Sequence, residues 1–160
     1  MEFGNSKKVT ILIAEDDDGH AELISDNLLE AGITNPIIRF RNGQETLDFF
    51  FGASAPTSGE CSPDVPRRVE GRAYMLLLDI RMPKVGGVEV LRQIKADPQL
   101  KNMPVIMLTT TDDPREIQNC YALGCSCYVT KPVDYQQFSE MLVRLGLFLL
   151  VVQVPSLNSR

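Results

Sequence analysis

Four short stretches of the chain place oxygen-rich or cationic side chains directly after an apolar run. Glu15-Asp16-Asp17-Asp18 follows Val9–Ala14, Asp79 follows Tyr74–Leu78, Thr109-Thr110-Thr111 follows Pro104–Leu108, and Thr130-Lys131-Pro132 follows Cys127–Val129. If these ends meet, several carboxylates, a hydroxyl and an ammonium share one site. Carboxylates a few ångströms apart repel one another unless a divalent cation neutralises them. Oxygen-only donors with room for water suit Mg²⁺ better than zinc. An aspartate beside such a cation is able to attack phosphorus and become an acyl phosphate. The transferring group spreads its charge over three oxygens. One falls to the cation, one to the Lys131 ammonium, and one to the Thr109 hydroxyl with nearby backbone N–H groups.

Each stretch also has a plainer explanation. Acids after a strand favour the dipole at a helix start, a threonine run serves a turn, and Lys-Pro is common. Asp79 at the end of a leucine-rich run resists such a reading, because an unpaired buried carboxylate is costly. All four together, in this order, favour the shared site.

The elements that must position these residues follow from the hydrophobic pattern. The apolar runs, with Pro36-Ile37-Ile38 as a further one, are apolar on both faces, as strands of a parallel sheet covered on either side are. Between them lie helical periods: Ala21, Ile24, Leu28 and Ala31 with Gly32 as a stop; Val88, Leu91 and Ile94; Ile117, Cys120, Tyr121 and Gly124; Phe138, Met141, Leu142 and Leu145. Asp113-Pro114 and Asp134 read as helix starts. Five β-α repeats imply a doubly wound α/β fold, in which ligands sit beyond the carboxyl ends of the strands. Residues 52–73 break the rhythm with Gly, Pro and Ser and read as a long surface loop.

The chain has 160 residues, with 16 Lys+Arg against 21 Asp+Glu and a net charge of −5, a balance that argues against a nucleic-acid surface. The longest apolar stretch, Leu147–Val152, is far short of the roughly 20 residues of a membrane span. No segment reads as a signal peptide, so the cytoplasm is the expected compartment. Residues 1–7 read as a leader of vector-encoded type. Cys61, Cys120, Cys125 and Cys127 form no C-x-x-C pair and read as reduced thiols. The single histidine, His20, reads as a helix-surface residue.

The set Glu15-Asp16, Asp79-x-x-Met82-Pro83-x-x-x-Gly87, Thr109 and Lys131-Pro132 resembles the response-regulator receiver domain of bacterial two-component signalling, over about Lys8 to Leu145. Leu108-Thr109-Thr110, Cys127–Lys131 and the apolar tail ending near Pro155 resemble stand-alone regulators of the cyanobacterial phytochrome-partner type. The resemblance implies a flavodoxin-like (βα)5 fold with a five-stranded parallel sheet in order 2-1-3-4-5. It makes Asp79 the phosphoacceptor and gives Mg²⁺ to Asp16, Asp79 and the backbone carbonyl of Arg81, with Glu15 helping through water. Thr109 and Lys131 would contact the phosphoryl group, Thr109 and Tyr128 would act as the switch, and Lys131-Pro132 would be a cis bond. The donor would be a sensor histidine kinase of phytochrome-like type, and an unnamed downstream protein would read the face made by the fourth helix, fifth strand and fifth helix. Glu15 stands where Asp is frequent, and Thr110 where a smaller residue is frequent. Arg81 and Thr111 border the path of a hydrolytic water, so a long cation at Arg81 predicts slow self-dephosphorylation.

The expected organisation is a receiver over residues 8–146 with the loop inserted at 52–73, then an apolar extension and tail over 147–160. Only 28 residues follow Pro132, too few for a helix-turn-helix output. The domain is therefore expected to signal by contact and to work only on its own aspartate. Leu147–Val152, apolar all round, predicts a homodimer through the fourth and fifth helices and the tail, with Leu149→Asp as its probe. Two other classes compete: a pseudo-receiver interaction module that never takes phosphate, and a Mg²⁺-dependent phosphatase with Asp79 as nucleophile. Retention of Asp16, Asp79 and Lys131 argues against the first, and short strand-end loops against the second.

Overall fold

The computed structural model describes residues 9–52 and 67–157. The leader, Cys61 and most of the 52–73 loop therefore lie outside the described residues. The order is β1 (Thr10–Ala14), α1 (Asp18–Glu30), β2 (Ile37–Phe40), α2 (Gly43–Phe51), β3 (Tyr74–Leu78), α3 (Gly87–Ala96), β4 (Val105–Thr109), α4 (Pro114–Leu123), β5 (Cys127–Thr130) and α5 (Tyr135–Leu149). All strand pairs are parallel, in order β2-β1-β3-β4-β5. This is the flavodoxin-like arrangement anticipated.

The inner strands β1, β3 and β4 are buried along their whole length, which is why their sequences do not alternate. Alternate residues feed two cores. Leu12, Ala14, Leu76, Leu78, Val105 and Met107 join the α2–α3 side, with Phe40, Phe49, Phe50 and Tyr74 packed edge-on or tilted among them. Ile11, Ile13, Met75, Leu77, Ile106 and Leu108 join the α1–α5 side. Side-chain oxygens of Asp17, Asn42, Asp113 and Asp134 accept from the first free N–H groups of α1, α2, α4 and α5.

Two helical faces differ from the periodicity. Tyr121 of α4 is exposed, because that helix lies at the sheet edge and buries chiefly Cys120. In α5 the fully buried stripe is Phe138, Leu142, Gly146 and Leu149, with Met141 and Leu145 half-buried. Gly146 shifts the stripe: a Cβ there would stand 2.6 Å from the Cβ of Ala31, so only glycine lets α5 approach α1 this closely.

The tail does not project from the body. Val152 and Val154 pack beside the α1–α5 core, Ser156 bridges to Ala73 in antiparallel sense, and Leu157 is buried in the opposite core. Gly71 N–H donates to the Leu157 carbonyl (3.0 Å), and Leu157 N–H to the Arg72 carbonyl (3.2 Å). The tail thus crosses the amino ends of the strands. Leu149 is buried as well, so the apolar run is not uniformly free: Leu147, Phe148, Leu150 and Val151 are its exposed members. Leu149→Asp would therefore report on the core, and an interface probe belongs on Phe148 or Val151. Among the described residues no helix is long and apolar enough to cross a membrane.

Candidate functional site

Register brings the site together. β1 and β3 pair residue for residue from Thr10↔Tyr74 to Ala14↔Leu78, so Glu15 and Asp79 emerge side by side. The Asp79 N–H donates to the Ala14 carbonyl (3.1 Å), continuing the ladder. Thr109 pairs with Thr130 at the β4–β5 end, and the next amide, Lys131 N–H, donates to the Thr109 carbonyl (2.7 Å). Four loops thus deliver Glu15, Asp79, Thr109 and Lys131, all buried, to one edge.

Carboxylate oxygens of Glu15, Asp16 and Asp79 lie within 4.8 Å of one another. The Lys131 ammonium donates to Glu15 Oε1 in a close contact and to Asp79 Oδ2 at 3.3 Å, and it lies 3.2 Å from His20 Nδ1. Burial pushes the Glu15 carboxyl up to about 7, with the neighbouring Asp79 charge adding to the rise and the Lys131 ammonium opposing it. The Thr109 hydroxyl is buried without a hydrogen-bond partner. Three clustered carboxylates with an all-oxygen donor set fit a hard divalent cation, and the orphaned hydroxyl fits an anion beside it.

The acidic run divides its work. Asp17 caps α1 by accepting from His20 N–H (2.9 Å), a bond that lowers its pKa, and Asp18 pairs with Arg39 (2.6 Å) and Arg41 (2.7 Å), which lower its own. Only Glu15 and Asp16 join Asp79. The Arg81 side chain is exposed two residues beyond Asp79. The segment between Asp79 and α3 doubles back: Val85 N–H donates to the Pro83 carbonyl (2.8 Å), Lys84 adopts a left-handed φ of 69°, and Gly87 N–H donates to the Ile80 carbonyl (2.7 Å). A Cβ on Gly87 would fall 2.0 Å from the Asp79 carbonyl oxygen. That gives the Asp79-to-Gly87 spacing a physical reason, since the helix start must touch the backbone of the aspartate.

Tyr128 is half-buried on β5. Its hydroxyl donates to the Thr111 carbonyl (2.8 Å), its N–H donates to the Tyr121 hydroxyl (3.1 Å), and burial raises its phenol to about 12. The ring is thereby tied to the loop that follows Thr109. Burial likewise pushes the Cys120 thiol up to about 11, so it stays protonated.

Two expectations are corrected here. No peptide bond among the described residues is cis, so Lys131-Pro132 is trans, the form ordinarily favoured even before proline. Lys131 reaches Glu15 and Asp79 from that trans backbone. His20 is not a plain surface residue either: besides meeting Lys131, its ring lies tilted against Phe138 of α5, with centroids 5.6 Å apart. Asp17 capping turns the first residues of α1 so that His20 leans over the strand ends. A second basic partner, Arg39, is equally invisible in the linear pattern. It lies on β2 just after the run Pro36–Ile38, and its guanidinium grips the β1–α1 turn.

The sequence profile of the response regulator receiver domain matches residues 64–143. The chain is similar to response regulator Rcp1 of Synechocystis sp., with 32% identity over 153 residues, 95% of this chain and 96% of that protein. A crystal structure of the Mn²⁺-bound form of Rcp1 aligns with a TM-score of 0.76 and 28% identity over 92% of this chain and 99% of that one. The crystal structure of a response regulator receiver domain from Rhodospirillum rubrum aligns with a TM-score of 0.82 and 44% identity, covering 94% of this chain and 99% of that one. That of the phosphorylated cyanobacterial phytochrome response regulator RcpA gives 0.74 and 28%, covering 92% and 98%.

Proposed function

Because the chain belongs to the response regulator receiver domain family of two-component signalling, we propose that it accepts a phosphoryl group on Asp79 from a sensor histidine kinase and passes the signal on by contact. The observation that carries this reading is Lys131, buried at the strand ends with its ammonium on both Asp79 and Glu15. In the step itself an Asp79 carboxylate oxygen forms the O–P bond as the P–N bond of the phosphohistidine breaks, and the electron pair stays on the donor imidazole. Lys131 and the free Thr109 hydroxyl stabilise the charge gathered on the phosphoryl oxygens. Glu15, Asp16, Asp79 and the Arg81 backbone carbonyl would hold Mg²⁺, which neutralises the cluster; the carboxylate set and the Mn²⁺-bound relative support that assignment.

Movement of Thr109 toward the phosphoryl group pulls the loop to which Tyr128 is tied through Thr111, so the ring turns inward and the α4–β5–α5 face changes. The similarity to Rcp1 and RcpA supports a phytochrome-type kinase as donor, and we place the exchange in the cytoplasm. Exposed Leu147, Phe148, Leu150 and Val151 support a homodimer through the fourth and fifth helices and the tail. We read residues 8–146 as the receiver and 147–160 as its extension. We infer that the exposed Arg81 cation, two residues beyond Asp79, shields the acyl phosphate, so hydrolysis is slow; a half-life of seconds in Mg²⁺ would contradict this.

The test compares wild type with Asp79→Asn after incubation with acetyl phosphate and Mg²⁺, followed by intact mass. Wild type gains one phosphoryl group and the variant none. Absence of any gain in wild type, with acetyl phosphate and with a phosphorylated kinase, would make the protein a phosphate-independent interaction module. Turnover of added phosphoesters would make it a phosphatase.

A further inference from the structure

The β1–α1 turn carries four consecutive acids, Glu15 to Asp18, with Asp79 beside them. Such a turn repels itself. Its geometry is nevertheless set from the neighbouring strand. Arg39 of β2 donates twice to one acceptor, the Glu15 backbone carbonyl, from Nε (3.0 Å) and Nη2 (2.8 Å), while Nη1 reaches Asp18 Oδ1 (2.6 Å). On the other side of the same residue, Glu15 N–H donates to the Phe40 carbonyl (3.0 Å). Glu15 is therefore gripped by β2 at both its amide and its carbonyl.

The consequence falls on Asp16. A planar peptide shares its orientation between the carbonyl of one residue and the N–H of the next. A rigid guanidinium fork on the Glu15 carbonyl thus sets the plane from which Asp16, exposed and otherwise at a loop's start, departs. We propose that Arg39 is a positioning residue for divalent-cation binding: it holds the Glu15–Asp16 peptide so that both carboxylates face Asp79. This rests on the cation site of the proposed function.

Charge alone predicts the opposite result, which makes the inference testable. Arg39 is a cation close to an acidic cluster, so removing it should tighten the binding of another cation if only the field mattered. Arg41 is the matched control. It pairs with the same Asp18 oxygen at 2.7 Å and has no bond to the Glu15 carbonyl among those observed.

The experiment titrates Mg²⁺ into wild type, Arg39→Met, Arg39→Gln and Arg41→Met, following amide NMR shifts and checking each fold by its spectrum. Met keeps the aliphatic stem without a donor, and Gln restores one neutral donor. Positioning predicts a Kd about 10-fold weaker in Arg39→Met, in line with loss of an outer-shell partner. It also predicts partial recovery in Arg39→Gln, and Arg41→Met within about twofold of wild type or tighter. If Arg39→Met fails to fold, a Kd of Arg39→Gln weaker than that of Arg41→Met supports positioning in its place. Arg39 variants that bind Mg²⁺ as tightly as wild type, or more tightly, overturn the inference and leave the cation site standing. A wild type with no Mg²⁺-dependent shifts overturns the site and the inference together.

Discussion

At the carboxyl ends of the strands Glu15, Asp79, Thr109 and Lys131 are buried side by side, whereas at the amino ends the chain buries Val9, Ala73 and Leu157 under its own tail. The first edge takes charges out of water, with one hydroxyl left unpartnered and one carboxyl pushed up to about 7. Burial of that kind adds little stability even when the ions pair. The second edge is closed by apolar side chains and by the backbone bonds between residues 71–72 and 157. The proposed chemistry and the apolar closure of the fold thus lie at opposite ends of the same strands. Damage to one edge should leave the property of the other largely intact.

The largest effect is expected at the amino edge. Leu157→Ala removes a buried side chain that joins the tail to the α2–α3 core and should cost about 2–4 kcal/mol in urea unfolding. The rate at which Asp79 gains phosphate should stay near wild type. A large fall in that rate would break the separation.

Next comes Gly87→Ala, where the new Cβ would overlap the Asp79 carbonyl oxygen. Relief of that overlap should cost about 1–3 kcal/mol. Because the displaced atom belongs to the proposed phosphoacceptor, phosphorylation should slow about 10-fold or more. A variant that loses stability alone would remove Gly87 from the site.

Glu15 provides a smaller effect with a defined sign. Its folded pKa is about 7 against an ordinary 4.5, so the folded state holds a proton that the unfolded state has released. The stabilisation is complete below the unfolded value and is lost as pH rises through the folded one. Without divalent cations, the free energy of unfolding should therefore fall between about pH 5 and pH 8, by about 1–3 kcal/mol. Glu15→Gln should flatten that slope. A wild-type curve equally flat over this range would show that the cluster carries no such burden.

The smallest effect on stability belongs to the exposed apolar residues beyond both edges. Phe148→Ser or Val151→Asp should change unfolding by less than about 0.5 kcal/mol. Either should shift sedimentation toward the monomer, and unchanged sedimentation of both would dismiss the proposed homodimer.

The linear pattern was most informative where a residue's role depends on its own strand. Continuous apolar runs identified β1, β3 and β4, and a parallel sheet places whatever follows each strand on one edge. Glu15, Asp79, Thr109 and Lys131 could therefore be picked as neighbours before any distance was known. It was weakest where a role depends on the relative placement of two elements. The bond from Lys131 to Glu15 spans 116 positions, and nothing local marks His20 as its third partner. Arg39 directly follows the short run Pro36–Ile38, and nothing local marks it as a partner of the β1–α1 turn. The tail shows the same limit: Leu147–Val152 is uniformly apolar in sequence, and only the packing of α5 against the α1 side separates buried Leu149 from exposed Val151.

The sequence by itself determined the order of elements and the residue types at each strand end. Those follow from continuous apolar runs, helical period and chain direction, all of which are local. The tertiary structure alone decided which acids join Asp79, which basic groups hold them and how the far edge is closed. Those outcomes depend on side chains meeting across strands and helices, and packing of the whole chain sets the distances at which they meet.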